Sequence, residues 1–156
     1  MQKLGRGFLD QPESNIFIFA FLLNYPWEFL QAPLFKEMAE AAHWEAVKIC
    51  TRATIGDAVI MLVAYSSVAA GALDRTWFRE PRRLQMTAFI AIGVSITIGI
   101  EHFATRTDQW VVNWEYAPSM PTLPLLGTGL TPILQWILLP PLVIWFVRRQ
   151  LISRAT

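Results

Sequence analysis

Amide and carboxyl side chains recur at helical spacing in the first apolar stretch of this chain. Asn24, Glu28 and Gln31 stand at i, i+4 and i+7, which places them on one face of a helix. Ionisable residues inside a membrane are costly and usually face the interior of a helix bundle, so they are functional candidates by default. A carboxyl group in a medium of low dielectric favours its neutral form and can exchange a proton with a bound molecule. The spacing therefore indicates acid–base chemistry as one use of these side chains.

Three further apolar stretches contain similar polar stripes. Their members are His43, Cys50 and Asp57 in the second stretch, Thr97 with Glu101 and Ser95 with His102 in the third, and Thr131 with Gln135 in the fourth. If four helices turn these stripes toward each other, a polar pocket forms near the outer membrane surface. The candidate catalytic residues are then Glu28, Asp57, Glu101 and His102. The candidate cofactor-binding residues are His43, His102, Asn24 and Gln135.

Three uses of such a polar cluster compete. The first is a closed, ion-paired network in which Arg52 neutralises a neighbouring carboxylate, since polar residues commonly bond across membrane helices. The second is a ligand or cofactor site, in which the only two histidines, His43 and His102, reach a haem or a metal from opposite helices. No HxxxH, HExxH or CxxCH motif supports a specific cofactor, so its identity stays open and no metal site is predicted. The third is an intramembrane acid–base site.

The composition assigns the chain to the membrane. Of its 156 residues, 54% are hydrophobic and only 16% are charged, whereas typical soluble domains carry roughly 25% charge. High hydrophobicity excludes a disordered chain, and a net charge of +1 is too small for nucleic-acid binding by a basic face. The single cysteine, Cys50, excludes an intramolecular disulfide, a CxxC redox pair and a four-cysteine metal site.

Long runs without charge predict the membrane spans. Residues 84–100 and 116–147 contain no charged side chain, and a bilayer core about 30 Å thick needs ~20 mostly apolar residues per helix. We predict an all-α, integral membrane four-helix bundle, a single transmembrane domain over residues 1–156. The predicted spans and loop are about 15–35, 46–73, 84–103 and 125–147, with an aromatic- and proline-rich outer loop at 104–124.

The fourth span is irregular in sequence. Thr131 followed by Pro132 is typical of an N-cap and the first helical position. A helix from Pro132 to Val147 would be about 24 Å long, which is shorter than the hydrocarbon core. We therefore expect residues 123–130 to dip into the membrane, and Pro140 and Pro141 to kink the helix.

The distribution of basic residues predicts orientation. With four spans, nine lysines and arginines lie on the side of both termini and four on the other. Because cytoplasmic loops carry the excess of positive charge, both termini are expected in the cytoplasm and the protein in the cell inner membrane. Trp77 and Trp145 would then lie at the inner interface.

Small size, abundant aromatic residues and the absence of a catalytic signature favour a non-catalytic role. The expected function is an accessory or assembly subunit of a larger membrane complex of respiratory or photosynthetic type, or a protein that binds a lipid, quinone or pigment beside one. The expected partners are membrane lipids and other integral membrane subunits, not nucleic acid. The alternative is an intramembrane enzyme that acts on an isoprenoid-like or lipid substrate through Glu28, Asp57, Glu101 and His102.

Overall fold

The fold is all-helical, as predicted. The computed structural model describes residues 7–105 and 114–153, and its regular structure there is helical apart from two isolated β-bridges. The helices are α1 (Pro12–Gln31), α2 (Lys36–Glu40), α3 (His43–Ala72), α4 (Arg83–Ala104) and α5 (Leu130–Ser153). Within the described ranges, α3, α4 and α5 are long and apolar enough to cross a membrane. The prediction had four such helices.

Helix α1 has the length of a span but a more polar sequence. Its 20 residues include Asn24, Glu28 and Gln31, which lower its mean hydropathy. All three side chains are buried, while Leu22 and Leu30 on the opposite side are exposed. The polar residues of α1 therefore face the other helices.

The fourth predicted span required correction. Helix α5 begins at Leu130, before the predicted start at Pro132, and continues to Ser153. Its 24 residues extend for about 36 Å at 1.5 Å per residue, so a dip of residues 123–130 is not needed to cross the bilayer. A proline in the first turn has no intrahelical N–H bond to lose, which explains why Pro132 does not mark the start. The helix also continues through Pro140 and Pro141.

The other boundaries were predicted to within a few residues, except at the end of α1. The predicted span 15–35 stops at Gln31, and a 3-10 turn follows at Ala32–Leu34. Pro33 has no N–H to continue the helical hydrogen bonds, and the chain turns to an extended conformation at Phe35, with φ of −110° and ψ of 133°. At the other end of the bundle, α3 stops before Leu73, which has a left-handed conformation with φ of 53°.

The four long helices pack around a ring in the order α1, α3, α4, α5. At one end of the core, the Trp77 ring stacks on Tyr65 at 5.3 Å and meets Phe89 edge-on at 5.6 Å. Trp77 is only 1% exposed, because its short 3-10 turn folds back onto the bundle. Trp145 is half exposed and carries the Arg149 guanidinium over its ring at 5.5 Å.

A glycine allows α4 and α5 to approach closely. A Cβ added at Gly93 would lie 2.0 Å from Cε3 of Trp136, closer than any real contact. Trp136 is buried against this glycine. The contact lies one helical turn from Thr97, where the interior of the bundle opens into a cavity.

Candidate functional site

A cavity of about 390 Å³ lies between the four long helices. We call it the central cavity. Its wall includes polar residues from every long helix, namely Glu28, Gln31, Asp57, Thr97, Glu101 and Gln135. Its volume is near the lower end of the ~300–1,000 Å³ typical of small-molecule sites. The remaining wall is largely apolar, with Phe35, Ile49, Cys50, Ile60 and Ile100 among its members.

Gln135 of α5 joins three helices through its side-chain amide. Its Nε2 donates to Oδ1 of Asn24 at 2.6 Å and to Oδ2 of Asp57 at 2.8 Å, and it lies 3.3 Å from Oε1 of Glu28. Since an amide has two N–H protons, the two shorter distances mark the main bonds. The amide therefore holds Asn24 of α1 and Asp57 of α3 in fixed positions.

The carboxyl groups of Glu28 and Asp57 are neighbours, because Nε2 of Gln135 lies 3.3 Å from Oε1 of Glu28 and 2.8 Å from Oδ2 of Asp57. A hydrogen bond between two carboxyl groups requires a proton on one of them, because a carboxylate can only accept. Glu28 also accepts a bond from Nε2 of Gln31 at 2.7 Å. This carboxyl pair can therefore hold and release a proton at the cavity wall.

Glu101 supplies a third carboxyl group from α4. Its side chain is 4% exposed, and its Oε2 accepts a hydrogen bond from the hydroxyl of Tyr116. The Tyr116 oxygen in turn accepts a bond from the N–H of Gly129 at 3.0 Å. Burial, followed by the bond to Glu101, raises the pKa of Tyr116 above its ordinary value, so the hydroxyl stays protonated and donates. Sequence reasoning missed Tyr116, whose only signal was its place in an aromatic-rich loop.

Two segments close over this end of the cavity, and we call residues 32–38 and 114–117 the cap. Phe35 forms an isolated β-bridge with Tyr116. The N–H of Lys36 donates to the carbonyl of Glu115 at 2.9 Å, and Nζ of Lys36 lies 2.6 Å from Oε1 of Glu115. The side-chain hydrogen bond is the main cause that raises the pKa of Lys36. The cap thus links the end of α1 to the loop that positions Tyr116.

The structure brings together five of the predicted site residues and leaves two outside. Asn24, Glu28, Asp57, Glu101 and Gln135 meet at or beside the central cavity. His43 and His102 are exposed and do not line it. His43 is the first residue of α3, and His102 is rotated by about 100° from Glu101 around α4. Within residues 7–105 and 114–153, no group of three or more His, Cys, Asp or Glu is placed to hold a metal ion.

Arg52 does not close the site. It lies at the cavity wall with its side chain exposed, and it makes no ion pair with a described residue. The long arginine side chain can place its charge in the polar surroundings outside the bundle. Gln135 therefore links Glu28 and Asp57, Tyr116 is bonded to Glu101, and Arg52 neutralises none of these carboxyl groups.

Comparison of the chain with known families, curated proteins and solved structures found no match.

Proposed function

We propose that this protein is an intramembrane acid–base enzyme that moves a proton on a lipophilic substrate bound in the central cavity. The observation that carries the proposal is the arrangement of three carboxyl groups, Glu28, Asp57 and Glu101, around one largely apolar cavity. General acids and bases must lie within hydrogen-bond reach of the atoms they serve. A cavity with carboxyl groups in its wall meets this requirement for a bound molecule.

The carboxyl groups have different surroundings, which suits them to different roles. In the proposed scheme Glu28 and Asp57 share a proton, and Gln135, whose amide nitrogen lies next to both carboxyl groups, orients them. Glu101 stands apart on α4 with Tyr116 as its donor. The pair would give a proton to one substrate carbon, and Glu101 would take a proton from another carbon. The double bond of the substrate would then shift, with no net gain or loss of atoms. In this scheme Gln135 and Tyr116 are positioning residues.

The same proposal includes the complete membrane topology. In it, α1 is the fourth span, because its polar side chains face inward and its outer face is apolar. The protein lies in the cell inner membrane with both termini in the cytoplasm. Most arginines lie at one end of the bundle, where α3 ends, α4 begins and α5 ends, and the cytoplasmic side of a membrane protein carries the excess of positive charge. The cap then lies on the outer side.

The expectation of an accessory subunit, or of a quinone- or pigment-binding protein, rests on composition. The central cavity favours an enzyme over an accessory subunit, because an accessory subunit has no need of carboxyl groups around an accessible space. Purification in mild detergent separates the two. An accessory subunit comigrates with a larger complex, whereas the enzyme retains its activity when it is isolated.

The enzyme proposal can be tested before its substrate is identified. Membranes that contain the protein are incubated in D₂O, and extracted lipids are analysed by mass spectrometry for a mass increase of one deuterium. A reaction that delivers a solvent-exchangeable proton to carbon labels its product. We expect a labelled lipid species with the wild-type protein.

Matched variants assign this labelling to the site. Asp57→Asn and Glu28→Gln remove the proton-sharing pair and should abolish labelling. Glu45→Gln is the control, because Glu45 lies on the same helix as Asp57 but is exposed and pairs with Lys48 at 2.5 Å. Labelling that persists in both site variants, or no labelling in the wild type, contradicts the proposed function.

A further inference from the structure

Two aromatic rings belong to the apolar wall of the central cavity. Phe35 and Trp114 both line it, and their ring centroids lie 6.1 Å apart at an interplanar angle of 69°. The face of an aromatic ring carries partial negative charge and attracts a cation within about 6 Å of the centroid. Aromatic rings in a wall that also contains carboxyl groups favour a positively charged group on the bound molecule.

Glu101 lies at the same end of the cavity as these two rings. The ring of Phe35 is 5.7 Å from the ring of Tyr116, and the hydroxyl of Tyr116 donates to Oε2 of Glu101. Oε1 of Glu101 makes no hydrogen bond with a described residue and is not one of the unpartnered atoms that are buried from solvent. Because Glu101 lines the cavity, this oxygen is available to a bound molecule.

Carboxylate and rings together favour a cation over the other polar groups that a lipid can carry. A phosphate or a carboxylate is repelled, since Arg52, the basic residue in the described cavity wall, is exposed at its edge. A hydroxyl group can donate to Glu101 but is not attracted by the rings. An ammonium group donates a charge-assisted hydrogen bond to the carboxylate and is also attracted to the ring faces.

The cavity opens toward the side of the bundle between α3 and α4. Gly56 of α3 and Ile100 of α4 line the cavity and are exposed. A Cβ added at Gly56 would meet no atom within 4 Å, which shows open space beside it. Both helices are long and apolar enough to span a membrane, so we expect this opening to face lipid and to admit an uncharged molecule more easily than an ion.

The proposed reaction places a positive charge on such an uncharged molecule after it has entered. When the Glu28–Asp57 pair gives its proton to one carbon of a double bond, the π electrons form the new C–H bond and the neighbouring carbon becomes positive. When Glu101 takes a proton from an adjacent carbon, the electrons of that C–H bond form the new double bond. Between these two transfers the substrate is a cation, which fixed charges and dipoles stabilise in a site that excludes water.

We propose that Glu101, Phe35 and Trp114 form a cation seat, which stabilises the positive charge of the substrate between the two proton transfers and binds a lipophilic amine as a stable analogue of that charged state. This inference rests on the proposed function, because it names the substrate class as an uncharged lipid with a carbon–carbon double bond. It adds Phe35 and Trp114, which the sequence pattern did not mark as site residues, as ligand-contact residues.

Photolabelling of the full-length protein in detergent micelles tests the charge of the ligand. The probe is a farnesylamine analogue that carries a diazirine, and the competitors are farnesylamine, farnesol and farnesoic acid, which share one apolar chain. We expect saturable labelling of the cavity wall and the strongest competition by farnesylamine. Competition by farnesol or farnesoic acid that equals that of the amine, or the absence of saturable labelling, overturns the proposal.

Replacement of Glu101 tests the carboxylate of the cation seat. Glu101→Gln should weaken farnesylamine competition by about 10- to 100-fold, the effect of a hydrogen bond to a charged group. Farnesol competition should change little, because the glutamine amide can still bond a hydroxyl group. Glu45→Gln is the control, because Glu45 is exposed and does not line the cavity. An equal loss for the amine and the alcohol indicates damage to the fold, and this result or an unchanged amine affinity overturns the role of Glu101.

Replacement of Phe35 tests the aromatic part of the cation seat. Phe35→Leu should weaken farnesylamine competition by about 2- to 30-fold, the range of a cation–π interaction, and should spare farnesol competition. Phe35→Tyr retains an aromatic ring and should retain the affinity for the amine. Phe35→Leu with the amine affinity of the wild type, or equal losses in both variants, contradicts the role of the ring.

The deuterium experiment keeps the two proposals distinguishable. Deuterium-labelled lipid without a preference for the amine refutes the cation seat alone, and a preference for the amine without deuterium transfer refutes the acid–base function alone. The route is tested by Gly56→Leu, which places a side chain in the opening and should slow photolabelling. Gly99→Leu on α4 is its control, because Gly99 also has open space around it but lies outside the cavity wall. Equal labelling rates contradict access between α3 and α4.

Discussion

Replacement of Gln135 by methionine removes the amide that joins α5 to α1 and α3. Methionine is unbranched and of similar size, so the change deletes the hydrogen bonds with little change in packing. The two short bonds, to Asn24 at 2.6 Å and to Asp57 at 2.8 Å, are lost. Interhelical hydrogen bonds in membrane proteins contribute ~0.6 kcal/mol on average and up to ~1.7. We therefore expect the free energy of unfolding to fall by about 1–3 kcal/mol.

Equilibrium unfolding in mixed micelles with increasing SDS, followed by tryptophan fluorescence, measures this loss. A double-mutant cycle with Asn24→Leu isolates the bond between the two amides. The coupling energy should be favourable and about 0.5–2 kcal/mol. A Gln135→Met variant as stable as the wild type, or a coupling energy near zero, would refute the claim that this amide joins the helices.

Three further changes probe the packing and the cap. Gly93→Ala forces a Cβ into the Trp136 ring and should lower the unfolding free energy by about 1–3 kcal/mol. Gly99→Ala has open space around it and should raise the unfolding free energy by about 0.5–1 kcal/mol. Equal effects of the two variants in the same SDS titration would contradict the close helix contact. Tyr116→Phe should cost about 1 kcal/mol below pH 10. The pKa of Tyr116 is raised in the folded protein, so the hydroxyl group contributes its full stabilisation below the ordinary tyrosine pKa of about 10 and less above it. The unfolding free energies of the variant and the wild type should therefore converge at higher pH. A difference that stays constant with pH would argue against the raised pKa. Glu115→Gln removes an exposed ion pair, so it should destabilise the protein only slightly, and this effect should disappear at about 1 M salt; a destabilisation that does not depend on salt would show that the residue acts otherwise.

Helical periodicity predicted part of the set of polar residues that meet, although it also placed His43 and His102 in that set, and these lie outside the cavity. Asn24, Glu28 and Gln31 on α1, and Thr97 and Glu101 on α4, share faces because the 3.6-residue repeat does not depend on tertiary detail. Apolar length likewise predicted α3, α4 and α5. For α1 the two signals conflicted, since the polar face that builds the site also lowers the hydropathy by which a span is recognised.

Other features depended on contacts that no local pattern encodes. Tyr116 reaches Glu101 only because the cap pairs Phe35 with Tyr116. Helical spacing predicts the position of Arg52 on its helix, but it does not predict where the long side chain points. That direction depends on the competition between the cost of desolvating the charge and the gain from pairing it with a carboxylate. The sequence therefore predicted a cluster without deciding between a closed network and an open cavity.

Alkylation of Cys50, the only cysteine of the chain, tests most directly whether carboxyl groups surround an accessible cavity. Cys50 is 2% exposed and borders the central cavity, and Gly56 is an exposed residue of the same wall, so we expect a reagent to reach the thiol through that space. We predict that a small membrane-permeant thiol reagent modifies the folded protein, that Gly56→Leu slows this modification severalfold, and that Gly99→Leu does not. Modification that begins only when the protein unfolds, or that proceeds equally fast in both glycine variants, would contradict the account.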